Sequence, residues 1–171
     1  MERPQRELKF AFPNRLADSL RAWVDVRCRP DPAFAAGRIA SIYFDSRDGA
    51  LLDEKDNSDY LKTKVRLRWY GDWQTGAPAG AVFLEVKQRI GSTRAKVRRC
   101  LDWTAEELEG MPLEDPRFLA VSRLVAEAGF RLPRPLRPSI CLEYRRRRYL
   151  EPVTGTRICL DQDIAPVRIH G

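Results

Sequence analysis

Charge and apolarity alternate residue by residue through the middle of this chain, and that alternation limits what it can become. In Lys64-Val65-Arg66-Leu67-Arg68-Trp69 a two-residue period puts Lys64, Arg66 and Arg68 on one side of an extended strand and Val65, Leu67 and Trp69 on the other. Glu85, Lys87 and Arg89 stand in the same way against Leu84, Val86 and Gln88, and Arg94, Lys96 and Arg98 repeat the pattern. A sheet with one wet face produces such alternation on its own. Several neighbouring strands biased to one sign ask for more, because like charges opposite each other in a sheet repel. A polyanion lying among them would remove the repulsion.

The remaining segments predict the frame around these strands. Arg6–Phe12 reads as a strand with Leu8, Phe10 and Phe12 on one side and Glu7 and Lys9 on the other. Pro13 and Asn14 open a helix that runs to about Val26, with Leu16, Leu20, Trp23 and Val24 on one face. Strands are predicted over 38–46, 61–70, 81–90 and 94–102, the last pair joined by Gly91-Ser92, and residues 45–59 read as polar turn. Thr104 with Glu107 three residues later is a capping box that starts a helix ended by Met111-Pro112. A second helix covers 115–128 and stops at Gly129. Two further strands, 140–150 and 157–164, flank a turn at 152–155. The expectation is one α+β domain over residues 1–171, an antiparallel β-barrel with a few flanking helices.

The net charge is +7, so the partner is an anion: nucleic acid, a membrane surface or a phosphate compound. Trp69, Tyr70 and Trp73 could stack on bases, but they alternate with the basic residues or sit in the next loop, so no nucleic acid partner is expected. The four cysteines, Cys28, Cys100, Cys141 and Cys159, include no C-x-x-C pair and read as reduced and mostly small apolar fillers. With a polar N-terminus and no long apolar stretch, the expected location is cytoplasmic, with no membrane segment. His170, the single histidine, lies next to the C-terminal residue and reads as solvated rather than catalytic.

Acids share faces with bases at two places, Glu7 with Lys9 and Glu85 with Lys87. A site that grips phosphate through Arg and Lys while holding a divalent cation through carboxylate oxygen needs this mixture, although surface ion pairs also produce it.

An ordered series of short motifs resembles the VTC-type polyphosphate polymerase domain, a branch of the triphosphate tunnel metalloenzymes that also include CYTH-type triphosphatases. The series is Glu7-Leu8-Lys9-Phe10, Ser41-Ile42-Tyr43-Phe44-Asp45-Ser46, Lys64 to Gly71, Phe83-Leu84-Glu85-Val86-Lys87, Lys96-Val97-Arg98, Tyr144 to Tyr149 and Arg157-Ile158-Cys159-Leu160-Asp161. The resemblance implies a tunnel whose phosphate ligands are Lys9, Arg66, Arg68, Lys87, Lys96, Arg146 and Arg157, joined by Arg98 and by Tyr144 as a hydrogen-bond donor. Lys87, Arg66 and Arg68 take the catalytic part. It implies transfer of the terminal phosphoryl group of ATP onto polyphosphate with Mn2+ or Mg2+, and a membrane or completing protein partner.

Family members continue into a segment with a Glu-x-Lys motif that is not found before Gly171. The barrel is therefore expected to be incomplete at its C-terminal end, and the metal to depend on Glu7, Glu85 or Asp161. Two alternatives stay open: a CYTH-type triphosphatase, or a module that binds polyphosphate or inositol phosphates without turnover. CYTH-type chains begin with Glu-x-Glu-x-Lys, whereas Gln5-Arg6-Glu7-Leu8-Lys9 keeps one of the two acids. Crowded like charges oppose folding, so replacing Arg66 and Arg68 by alanine is expected to abolish binding and leave the fold as stable or more so.

Overall fold

A computed structural model describes residues 7–57, 60–132 and 134–170. Its strands are β1 (Arg29–Pro30), β2 (Ala36–Asp45), β3 (Leu61–Gly71), β4 (Pro78–Ile90), β5 (Thr93–Thr104), β6 (Arg137–Leu150) and β7 (Arg157–Ile169). Its α-helices are α1 (Ala17–Arg27), α2 (Ala50–Asp56), α3 (Ala105–Gly110) and α4 (Ala120–Glu127). All strands join one antiparallel sheet. Reading across, β7 pairs with β6, then β2, β3, β4 and β5 follow, and β1 takes up the far end of β6 at Tyr149 and Leu150. The sheet curls into a half-barrel. Among the described residues β5 and β7 do not pair with each other, so the expected barrel stays open between them.

The apolar half of each alternating strand is sunk in one core. Val65, Leu67 and Trp69 of β3 and Val82, Leu84 and Val86 of β4 are all at most 1% exposed. Together with Ala40, Ile42 and Phe44 of β2 they meet Ala105 and Leu108 of α3, Val121 and Val125 of α4, and Phe118 just before α4. The helices thus cover one face of the sheet and leave the charged face to the inside of the curl. A smaller cluster of Val24, Cys28 and Tyr149, backed by Ile158 and Leu160, docks α1 onto the β6–β7 end.

Local chemistry explains the element boundaries. The Thr104 hydroxyl accepts from the Glu107 amide at 3.2 Å while the Glu107 carboxylate accepts from the Thr104 amide at 2.8 Å, closing the capping box at the head of α3. Gly91, at φ 58°, makes the two-residue turn that sets Ile90 opposite Thr93. The Asp115 carboxylate accepts from the Arg117 amide at 2.9 Å, and a short 3-10 turn at Pro116–Leu119 leads into α4.

Three expectations change. Residues 7–13 form no strand, and Leu8, Phe10 and Phe12 are 79%, 75% and 53% exposed. An alternating pattern becomes a strand only beside a partner, and among the described residues this segment has none; Arg6 lies outside them. The polar stretch 45–59 contains α2, because the Asp45 carboxylate at the end of β2 accepts from the amides of Leu51 at 2.8 Å and Leu52 at 3.0 Å. That cap comes from outside the usual one-turn spacing and leaves no local signature. Of the four cysteines, Cys28 and Cys141 are buried as fillers, whereas Cys100 and Cys159 are exposed. No helix among the described residues is long and apolar enough to cross a membrane.

Candidate phosphate-binding groove

The register of β3, β4 and β5 converts three alternating sequences into rows of side chains that cross the sheet. Lys62 pairs with Arg89 and Arg89 with Arg94; Lys64 pairs with Lys87 and Lys87 with Lys96; Arg66 pairs with Glu85 and Glu85 with Arg98. Two consecutive rows therefore hold cations alone, and the third holds one acid between two arginines. These rows, apart from Arg98, line an open pocket of about 620 Å3 that Glu7, Lys9 and Tyr43 also border.

Glu85 is the buried hub of the site. Its Oε2 accepts from Arg66 Nε at 2.7 Å and Nη2 at 2.5 Å, and lies 3.8 Å from Arg68 Nη1, while Oε1 faces Arg98 Nε at 3.7 Å. Burial pushes the Glu85 carboxyl up, but Arg66, Arg68 and Arg98 outweigh it and hold the group below the usual carboxylate range. Arg66 also donates from Nη1 to Tyr43 Oη at 3.0 Å. Arg68, itself buried, donates from Nε to Ser41 Oγ and from Nη2 to Tyr144 Oη, each at 3.1 Å. Burial, opposed by Arg68 and Arg146, leaves the Tyr144 hydroxyl above its ordinary pKa.

Lys87 occupies the middle row with its ammonium among cations. Burial, then Arg66 and Lys96, push its pKa below the ordinary lysine value, against the weaker pull of Glu85 and Glu7. A lysine held in this state gains from any anion that enters. Arg98 lies over Phe83, its guanidinium carbon 3.9 Å from the ring centroid, and donates to Tyr70 Oη at 2.9 Å.

The residues expected from sequence divide into three positions. Arg66, Arg68, Lys87, Lys96 and Glu85 share the β3–β5 face, with Arg98 at its side and Tyr144 joined to it through Arg68. Lys9 and Glu7 border the same pocket from the N-terminal segment, 3.5 Å apart. Arg146 and Asp161 pair with each other on β6 and β7, through two 2.6 Å hydrogen bonds. Arg157 stands opposite Leu150 at the start of β7, and does not line the pocket. The sequence gives Ser41, Tyr43 and Tyr70, which hold the arginine heads, no part in a phosphate site; it places Lys64, Arg89 and Arg94 on the charged faces without marking them as ligands, and Lys62 is the basic residue left out. One further step of the two-residue period from Lys64 reaches Lys62; the hydroxyls carry no comparable signal.

Glu85 and Asp161 are engaged by arginines. Among the described residues no group of three His, Cys, Asp or Glu side chains is placed to hold a metal ion. Glu85 is spent on arginines, and both oxygens of Asp161 accept from Arg146. The donors suit phosphate oxygens, which Arg and Lys bind by charge-assisted hydrogen bonds. A comparison with family models finds the VTC domain matching residues 5–170. No curated protein matches the chain.

Proposed function

The chain belongs to the VTC domain family, so its function is related to polyphosphate, and from that premise we propose that the groove of β3–β5 binds the phosphate chains of ATP and polyphosphate and transfers a phosphoryl group between them. The observation that carries the reading is the direct opposition of Lys64, Lys87 and Lys96 on three adjacent strands, an arrangement that costs energy until an anion enters. Phosphoryl transfer asks mainly for positioning and for charge neutralisation on the moving group. Arg66 and Arg68 are held at fixed angles by Glu85, Tyr43, Ser41 and Tyr144, so little reorganisation is needed to present their remaining N–H groups. Lys87 and Lys96 supply point charges on flexible stems, and Lys9 borders the same pocket.

The described acids form no cage for Mn2+ or Mg2+; such an ion would have to arrive with the phosphates and would supply further neutralisation of their charge, beside that of Arg66, Lys87 and Lys96. A second reading, binding without turnover, is favoured by the same engagement of Glu85 with arginines. Incubation with ATP and manganese separates the readings. Long-chain polyphosphate supports the polymerase, and orthophosphate alone supports a triphosphatase. Retained tripolyphosphate binding without either product supports the binding module, and loss of all binding rejects the groove.

A further inference from the structure

We propose that Lys62, Arg89 and Arg94 form an outer phosphate subsite that makes the groove selective for long polyphosphate chains over triphosphate. The inference rests on the reading of the groove as a phosphate-chain site and adds a length preference to it. Lys62, Arg89 and Arg94 stand opposite one another on β3, β4 and β5, one row beyond Lys64, Lys87 and Lys96 and beside the Gly91 turn. All three line the same pocket. Among the described residues none of these six side chains has a carboxylate in ion-pair contact, whereas Glu85 offsets part of the charge of the inner row. Two adjacent rows of uncompensated cations form a continuous track rather than a single anion hole.

Spacing sets what the track can hold. Rows are two residues apart along each strand, about 6.7 Å, so the outer row lies about 13 Å from the row of Arg66, Glu85 and Arg98. Two P–O–P links do not cover that distance, so a triphosphate anchored at Arg66, which lines the pocket while buried Arg68 does not, ends near Lys87 and leaves the outer row empty. A longer chain continues over it. On β4 Glu85 is buried whereas Lys87 and Arg89 are exposed, and on β3 Arg68 is buried, Arg66 and Lys62 half-buried and Lys64 exposed, so the β4 side of the groove opens toward the end where a long chain would emerge.

The test compares tripolyphosphate with long-chain polyphosphate, by calorimetry without metal at fixed ionic strength, in wild type and in the triple variant Lys62→Gln, Arg89→Gln, Arg94→Gln. The triple variant should bind long chains about tenfold more weakly, the sum of three solvent-screened charge contacts. Its tripolyphosphate affinity should fall by less than about twofold, since only the screened field of the outer row is lost to it. The single exposed substitution Arg94→Glu should act in the same direction, and thermal unfolding verifies that each variant is folded. Undiminished long-chain binding by the triple variant overturns the subsite, as does an equal loss for both anions. Wild type binding neither anion rejects the groove itself, and Arg66→Ala, expected to weaken both, reports on that inner reading separately.

Discussion

Arg66 on β3 donates twice to one oxygen of Glu85 on β4, from Nε at 2.7 Å and Nη2 at 2.5 Å, and the two residues are direct cross-strand partners. Glu85 is 4% exposed, and Arg68 and Arg98 also face it. One buried carboxylate on β4 thus holds together three arginines from the two flanking strands, the role that a bound phosphate would share. The groove is built with a small anion already at its inner end.

Glu85→Gln should lower stability by roughly 3 kcal/mol, the cost of leaving buried cations without their counter-charge. Because its folded pKa is depressed, Glu85 contributes stability that is fully present above its unfolded value and lost as pH falls through the folded one. Urea unfolding should therefore give a wild-type advantage that is constant near neutrality and shrinks below about pH 4.5. Tripolyphosphate should raise the melting temperature of the variant more than that of wild type, since it restores a missing negative charge.

Replacing Arg66 and Arg68 together by alanine should abolish tripolyphosphate binding and lower stability by roughly 3 kcal/mol. Sequence reasoning predicts the opposite sign for stability, from repulsion among cations. The sign turns because Arg68 is buried with bonds to Ser41 and Tyr144, and because the double change strands Glu85 in the interior. Paired calorimetry and denaturant titration check both parts.

Lys87 makes the binding pH-dependent on the alkaline side. Burial, Arg66 and Lys96 lower its pKa from 10.5, so its charge is lost earlier than that of an ordinary lysine. Tripolyphosphate affinity should fall as pH rises through that lowered value, and Lys87→Arg should move the fall to higher pH. In the window between the folded and unfolded values the unfolded chain binds the extra proton, so this group makes stability rise with pH, and the arginine variant lacks that rise.

Gly91→Ala should cost about 1–3 kcal/mol, because φ 58° strains a side-chain-bearing residue. The new Cβ would also come within 2.6 Å of the Tyr60 ring. Thermal unfolding measures the loss. Long-chain polyphosphate binding should weaken with it, since the turn holds the outer row in register.

Arg38 lies in the core-side network with Glu109 and Glu143, to which it is ion-paired, and donates to the Gly76 carbonyl at 3.0 Å, while Trp69 Nε1 donates to Glu109 at 2.9 Å. Arg38→Met should cost roughly 3–5 kcal/mol by leaving two acids uncompensated. Its tripolyphosphate affinity should match that of wild type, because the network faces away from the groove.

Much of this site can be read from residues alone. The two-residue alternation assigns Lys64, Arg66, Arg68, Glu85 and Lys87 to one face, and Gly91-Ser92 is short enough to impose the register that puts Lys87 opposite Lys96. The β3–β4 register is harder, since the connection holds a six-residue loop, Asp72 to Ala77, and the pairing shifts between Arg68 and Tyr70. Helix α2 escapes because its cap comes from Asp45, six residues before Leu51. The segment 7–12 carries a strand pattern without a partner strand, and local periodicity contains no information about partners.

Period and charge in the sequence determined that this chain forms strands with one basic and one apolar face, because side-chain direction along a strand alternates whatever surrounds it. Which cations meet was decided only by tertiary structure. Register placed Glu85 between Arg66 and Arg98 and left Lys87 among lysines, and curling of the sheet turned that face inward. Hydrogen bonds from Arg66 to Tyr43 and from Arg68 to Ser41 and Tyr144 join strands far apart in the chain, and such contacts exist only once the backbone has brought them within reach.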